Sequence, residues 1–132
     1  MVTGGGRAPR WVHEACQEWG KRIERTFPIR LVETLPKLTG RARVVVLDER
    51  GEERSSEAFA ALLEEAVRVA AHPLVFVIGG PYGVEPHVAA LAWKSLRLSS
   101  LVLNHAVARV VLVEQLYRAC SIRSGSPYHH GS

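Results

Sequence analysis

The stretch from Leu98 to Ser121, LSSLVLNHAVARVVLVEQLYRACS, decides how the rest of the chain is read. Ser99 to Leu103 reads as a short strand, Asn104-His105 as a polar elbow, and the remainder as a helix. Asn104 suits the N-cap, because its side-chain oxygen accepts an orphan backbone N–H of the first turn. At 3.6 residues per turn, Val110, Leu112, Val113, Leu116, Tyr117 and Cys120 form one broad apolar arc, while Glu114, Gln115 and Arg118 lie opposite. Arg109 falls inside that arc. A guanidinium keeps its charge, so burying one demands compensation. Arg109 therefore either snorkels out at the arc's edge or meets a carboxylate, an anionic ligand, a subunit interface or a wet pocket.

Upstream, Leu74 to Ile78 is a wholly apolar strand that runs into Gly79-Gly80-Pro81-Tyr82-Gly83. Pro86 then opens a helix carrying Val88, Ala89, Leu91, Ala92 and Trp93. Earlier still, Val44 to Leu47 is a second apolar strand, the pattern of a strand covered on both faces. It stops at Asp48-Glu49-Arg50-Gly51, read as a turn in which Asp48 is either the turn-forming residue or a site carboxylate. Ser55 or Ser56 caps the following helix, whose stripe is Phe59, Leu62, Leu63, Ala66, Val67 and Ala70. Nearer the start, Val12, Cys16, Trp19, Ile23 and Phe27 recur at helical spacing, so residues 9–26 read as an amphipathic helix that Pro28 ends. Ile29 to Thr34 alternates weakly as a strand, and Leu35 to Ala42 is a basic loop. Neither Met1–Arg7 nor the tail from Ser124 to Ser132 shows any periodicity.

Strands alternating with helices predict a single α/β domain over residues 1–132, with a mostly parallel sheet flanked by helices. In such sheets the ligand crevice lies beyond the carboxyl ends of the strands. Three loops meet there on this reading: after Leu47, at Gly79–Gly83, and at Leu103–Ala106.

Composition narrows the functional classes. A 132-residue chain that is 47% hydrophobic can bury one sizeable core. Its formal charge of +4 makes an acidic partner such as RNA plausible. The apolar runs are too short for a membrane span, and no signal-peptide core opens the chain. Cys16 and Cys120 lack CxxC spacing, so reduced core thiols and a cytoplasmic setting are expected. The six histidines show no ligand spacing, and His13 opens HEACQ rather than HExxH, so no metal is expected. No nucleophile elbow supports hydrolase chemistry. The glycines of GGPYG fit neither a GxGxxG nor a P-loop; they offer a tight turn, or a backbone that a flat ligand can approach closely. Tyr128-His129-His130 is either a disordered remnant or a group that stacks on an unpaired base and exchanges protons near neutral pH.

Taken together, IGGPYG, LSSLVLNHAVARVVLVEQLYRACSI and SPYHH resemble one family, the SPOUT-class methyltransferases that act on N3 of a pseudouridine in large-subunit (23S) ribosomal RNA. The likeness is clear from Leu74 to His129, and three motifs in the right order make it specific. It implies a C-terminal trefoil knot, about residues 74–123, holding S-adenosylmethionine, and a homodimer that works on nearly finished ribosomes. By that family's pattern Leu47, Gly79, Gly80, Gly83 and the run Leu98, Ser99, Ser100, Leu101, Val102, Leu103 form the cofactor pocket. The family's final helix lies at the dimer interface, where Arg109 would meet RNA phosphate or a partner carboxylate. Glu114 and Tyr117 match its E-x-x-Y-R-A segment. Tyr128 and His129 match its PYH ending near the target base, which makes His129 the candidate for helping the imide proton leave and Tyr128 its stacking or hydrogen-bonding partner. Departures are a shorter basic loop at Lys37–Ala42, Asn104-His105-Ala106 in place of Pro-His-Pro, and His130 where a cation is usual. A ribosome-binding module that does not methylate, and a SPOUT enzyme with another RNA target, are the competing readings.

Overall fold

The computed structural model describes residues 2–3, 8–23, 29–32, 43–68, 74–79 and 84–131. Five strands, β1 (Val2–Thr3), β2 (Ile29–Val32), β3 (Arg43–Glu53), β4 (Leu74–Ile78) and β5 (Lys94–Arg97), form one sheet in the order β1-β2-β4-β3-β5. Every pairing is parallel. Parallel neighbours cannot be joined by tight hairpins, so the connections must cross over a face of the sheet. The described helices are α1 (Arg10–Ile23), α2 (Ser56–Arg68), α3 (Pro86–Ala89), α4 (His105–Ser124) and α5 (Tyr128–Gly131).

The central strands alternate between two cores with the period of two that a pleated strand imposes. Val45, Leu47, Phe76, Ile78 and Leu96 face α1, α2 and α4, meeting Val12, Cys16 and Ile23, then Phe59, Leu62 and Leu63, and then Leu112, Val113 and Leu116. On the other face Val44, Val46, Val75 and Val77 pack with Val88 and with the half-buried Val84 and Ala92. Helix α4 lies against both α1 and α2, which makes it the centre of the larger core.

Both ends of α4 follow from local chemistry. The Asn104 side chain accepts the Ala106 backbone N–H at 2.9 Å. At the other end Gly125 takes φ 74°, and the N–H groups of Gly125 and Ser126 close on the carbonyls of Ile122 and Ser121. Such a double closure needs a residue free of the Cβ penalty in left-handed space. Ser55 caps α2, its hydroxyl accepting the Ala58 N–H at 3.1 Å.

Several sequence expectations are corrected here. The strand expected over Ser99–Leu103 lies earlier, at Lys94–Arg97, and residues 98–103 are irregular. The Leu101 N–H turns back onto the Ser99 hydroxyl at 2.9 Å, which a ladder strand cannot do. Leu101 and Val102 are 74% and 81% exposed, so their apolar character does not come from core packing. Helix α3 is a single turn, and Trp93 instead hydrogen-bonds through its N–H to Val44 O at 2.7 Å. Val2 and Thr3 form an edge strand despite the glycine-rich start. The tail is not shapeless: α5 folds back onto α4. Expectations for residues 24–28, 33–42, 69–73 and 80–83, including the basic loop, Gly80 and Gly83, lie outside the described residues.

Strand β3 also runs past its expected stop, because the turn at Asp48–Gly51 interrupts its register without ending it. Leu47 and Glu52 both pair with Leu96, so the residues between them loop out of the ladder. Gly51 makes this possible. A Cβ there would sit 2.6 Å from the Leu96 carbonyl carbon and 2.7 Å from its nitrogen, and both are backbone atoms that cannot step aside. Gly51→Ala is therefore expected to destabilise the protein by about 1–3 kcal/mol, read from a chemical denaturation midpoint with an unchanged slope.

Candidate active site

Strands β3, β4 and β5 end along one edge of the sheet, and an open cleft of about 630 Å³ lies against it. Leu47, Ile78, Gly79, Leu98 and Ala108 line it together with the irregular run Leu101–Leu103, Ser99 and the α4 N-terminal residues Asn104 and His105. The interrupted register of β3 carries Asp48, Glu49 and Arg50 to the same rim, and Arg97 reaches it from β5. Gly79 is half-buried, Ser100 is exposed and lies outside the lining, and Leu98, Ser99, Leu101, Val102 and Leu103 are all in it. A cleft of this volume suits a small organic ligand, with apolar walls for a flat ring and a few polar groups to orient it.

The rim is electrostatically organised. Asp48 Oδ1 accepts the Arg50 N–H at 2.9 Å and Arg50 Nε at 3.4 Å, so the same residue forms the turn and faces the cleft. The backbone N–H of Arg50 is the main cause holding the Asp48 carboxyl below its usual range; burial opposes it, and the Arg50 side chain adds to it. Arg97 Nη2 donates to Glu53 Oε2 at 3.0 Å and steadies the β5 side. Folding lowers the Asp48 pKa, so its ionised form stabilises the fold above the ordinary value of 3.8. That contribution fades as pH falls through the depressed value. Thermal melts taken from about pH 5 to about pH 2 should show Asp48→Asn losing less stability on acidification than the parent.

A second polar cluster sits at the far end of α4. Glu114 Oε1 accepts from Arg118 Nη2 at 2.8 Å, from Arg118 Nε at 3.1 Å and from the Tyr128 hydroxyl at 3.1 Å. Gln115 Nε2 donates to the other Glu114 oxygen at 2.8 Å, and its own oxygen accepts the Ser56 hydroxyl at 2.7 Å, tying α4 to α2. The Tyr117 and Tyr128 rings meet at 4.6 Å between centroids, and the Arg118 guanidinium stands over the Tyr128 ring. Burial, followed by the hydrogen bond to Glu114, pushes the Tyr128 phenol up. Tyr128 is thus a donor here and keeps its proton.

His129 bridges this cluster to α2. Its Nδ1 lies 3.0 Å from Arg118 Nη1, and its Nε2 lies 2.7 Å from Glu57 Oε1. A guanidinium only donates, so Nδ1 is the acceptor and the ring hydrogen sits on Nε2, directed at the carboxylate.

Arg109 belongs to neither group. It is 2% exposed, which excludes snorkelling and shuts it off from RNA phosphate within this chain. Its charge is felt at Cys16 on α1, where it partly offsets the burial that raises the thiol pKa. Cys16 and Cys120 are both buried.

Of the residues expected at the cleft, the structure brings together Leu47, Gly79, Leu98, Ser99, Leu101, Val102 and Leu103, and separately it gathers Glu114, Tyr117, Tyr128 and His129. Ala108 at the cleft and Arg118 in the cluster are ten helical residues apart, about 15 Å along the axis. Sequence reasoning left out Glu57, Arg118 and Gln115. Arg118 stands four residues beyond Glu114, the spacing of a helical ion pair, and that signal was readable. Glu57 lies 72 residues from His129, and nothing local marks it. Among the described residues, no group of three or more His, Cys, Asp or Glu is placed to hold a metal. No helix there is long and apolar enough to cross a membrane.

A parallel sheet covered on both faces, with a ligand-sized cleft at its carboxyl edge, defines an α/β domain whose ligand crevice lies at the strand ends. More narrowly, the chain belongs to the SPOUT methyltransferase family: the family model described as "Predicted SPOUT methyltransferase" matches residues 1–129. It is 39% identical to the ribosomal RNA large subunit methyltransferase H of Variovorax paradoxus (strain S110), over 98% of this chain and 96% of that protein. The proteins of the same name from Polynucleobacter asymbioticus and Stenotrophomonas maltophilia (strain R551-3) are 38% and 36% identical, each over 98% of this chain and 96% of its own length. The first alignment spans 150 positions against 132 residues here, so that relative carries segments this chain lacks.

Proposed function

We propose that this protein is a cytoplasmic, homodimeric S-adenosylmethionine-dependent methyltransferase that modifies N3 of a pseudouridine in large-subunit ribosomal RNA on the assembled ribosome. On this reading residues 1–132 are one domain, and the segment of about 74–123 forms the trefoil knot that holds the cofactor. The observation that carries the reading is the cleft at the strand ends, whose lining includes Leu47, Gly79, Leu98, Ser99 and Leu101–Leu103 from the set that the family resemblance picks out. S-adenosylmethionine, when bound, supplies a methyl group made electrophilic by its sulfonium. Leu47, Ile78, Leu101, Val102 and Leu103 offer apolar walls to the adenine ring. Gly79 and the backbone of the irregular run offer main-chain groups to its edge, and the family resemblance assigns Gly80 and Gly83 to the same pocket. Ser99 and Asn104 supply polar groups at the rim, and Ser100, outside the lining, belongs to the pocket only by the family resemblance.

The remaining work is to align the imide nitrogen, exclude water and help the imide proton leave. His129 is the proposed acceptor, through Nδ1, which is the ring nitrogen without hydrogen. Arg118 occupies Nδ1 in the single chain, so the tail must shift before His129 can serve. Tyr128, kept protonated, donates or stacks beside Tyr117, while Glu114 and Arg118 hold that pair in place. Arg109 supports the site through the core of α4. The tail cluster is about 15 Å along α4 from its own cleft, which favours a site completed by the tail of a second copy.

Labelled S-adenosylmethionine offered with unmodified ribosomes, and separately with free large-subunit RNA, tests the proposal once the label is mapped. Label at N3 of a pseudouridine upholds it. Label elsewhere moves the target, and no label despite cofactor binding leaves a binding module.

A further inference from the structure

At the end of the sheet away from the cleft, β3 begins with Arg43 and β5 with Lys94, immediately after Trp93. The Arg43 guanidinium carbon stands 4.5 Å from the centre of the Trp93 ring, and Lys94 Nζ stands 5.5 Å from it. The Trp93 main chain is fixed by its backbone N–H on Val44 O at 2.7 Å, and its side chain packs against the larger core. All three residues are half-buried. Arg10, Arg22, Arg50, Arg54, Arg97 and Arg118 each face a carboxylate. Neither Arg43 nor Lys94 forms an ion pair among the described residues, so the ring holds two positive charges that no acidic side chain among those residues cancels.

An indole face attracts cations and restricts their motion, but it leaves the charge and the N–H donors available outward. Two pre-positioned, uncancelled cations on a chain of net charge +4 suit a polyanion. Arg43 is four strand residues from Leu47 at the cleft, about 13 Å along β3, near enough for one substrate to touch both. We infer that Arg43 and Lys94, held on Trp93, form a phosphate-docking site for the substrate RNA, separate from the cleft. The inference takes the identity of its partner from the methyltransferase reading, and its charge geometry from the structure alone.

The test compares the parent with Arg43→Gln/Lys94→Gln in two arms: binding to naked large-subunit RNA and to ribosomes across a salt series, and steady-state methylation of ribosomes. The expected result is a salt-dependence slope smaller by about 2 on both partners, with KM for ribosomes raised on the order of tenfold. Cofactor affinity and kcat are expected to stay at parental values. Arg43→Lys, which keeps the charge, should retain the parental slope. An unchanged slope on naked RNA overturns the inference, and a slope that falls on ribosomes alone overturns it in favour of an acidic ribosomal protein. Should the parent methylate no RNA, the binding arm still decides. If the double variant melts early, Lys94→Gln alone, with an expected slope change of about 1, replaces it.

Discussion

His129→Ala is expected to lower kcat for methyl transfer by about two to four orders of magnitude, with cofactor affinity changed little. The argument begins with hydrogen inventory. Tyr128 donates to Glu114, and burial keeps its phenol protonated, so it cannot take a proton near neutral pH. Arg118 has only donors. Glu114 already accepts three hydrogen bonds at Oε1 and one at Oε2. His129 Nδ1 is left as the nitrogen base in the cluster that a movement of the tail can uncover. Single-turnover methylation at saturating cofactor is the measurement, and a variant within about twofold of the parent would remove His129 from proton transfer. Tyr128→Phe, which keeps the ring and loses only the donor, should cost less, since stacking against Tyr117 survives.

The second large effect is a rescue. Val102→Arg should block the cleft without disturbing the core, because Val102 lines the cleft and is 81% exposed. Tyr128→Ala/His129→Ala should remove the tail chemistry. Each variant alone is expected to be nearly inactive. Unfolded together at equal concentration and refolded, the two chains pair at random. If each cleft uses the partner's tail, one site in every mixed dimer has an intact cleft and an intact tail, so activity should return to about a quarter of the parental level. If cleft and tail belonged to the same chain, no mixed dimer would contain a complete site and nothing would return. The 15 Å or so of α4 between Ala108 and Arg118 is the reason to expect rescue. An inactive mixture of confirmed mixed dimers would overturn the shared site.

What the sequence disclosed, it disclosed through patterns that local physics enforces. Val44–Leu47 and Leu74–Ile78 are apolar at every position, and a strand with no polar face must be covered twice; both are. Asn104 reads as a cap and caps. The apolar arc of α4 is buried where the period places it, at Leu112, Val113, Leu116 and Cys120. The misreadings come from residues whose chemistry serves something other than the nearest core. Leu101 and Val102 look like strand residues because apolar side chains mark both strands and ligand walls, and sequence alone does not separate the two. Trp93 continued a helical stripe on paper but belongs to the approach of β5, where Arg43, fifty residues earlier in the chain, meets it. The tail carried no period, yet it folds because its partners, Glu114, Arg118 and Glu57, lie on two other helices. Contacts between distant positions leave no local trace, and most of the polar cluster is of that kind.

The strand order β1-β2-β4-β3-β5 has a consequence for biosynthesis. A ribosome releases the chain from its N-terminus, so β1 and β2 emerge first yet cannot join the central strands until β4 follows. The cleft needs β5, the run Leu98–Leu103 and the start of α4, all in the last third of the chain. Elongation must therefore pass the first turns of α4, as far as Ala108, before the walls of the cleft exist.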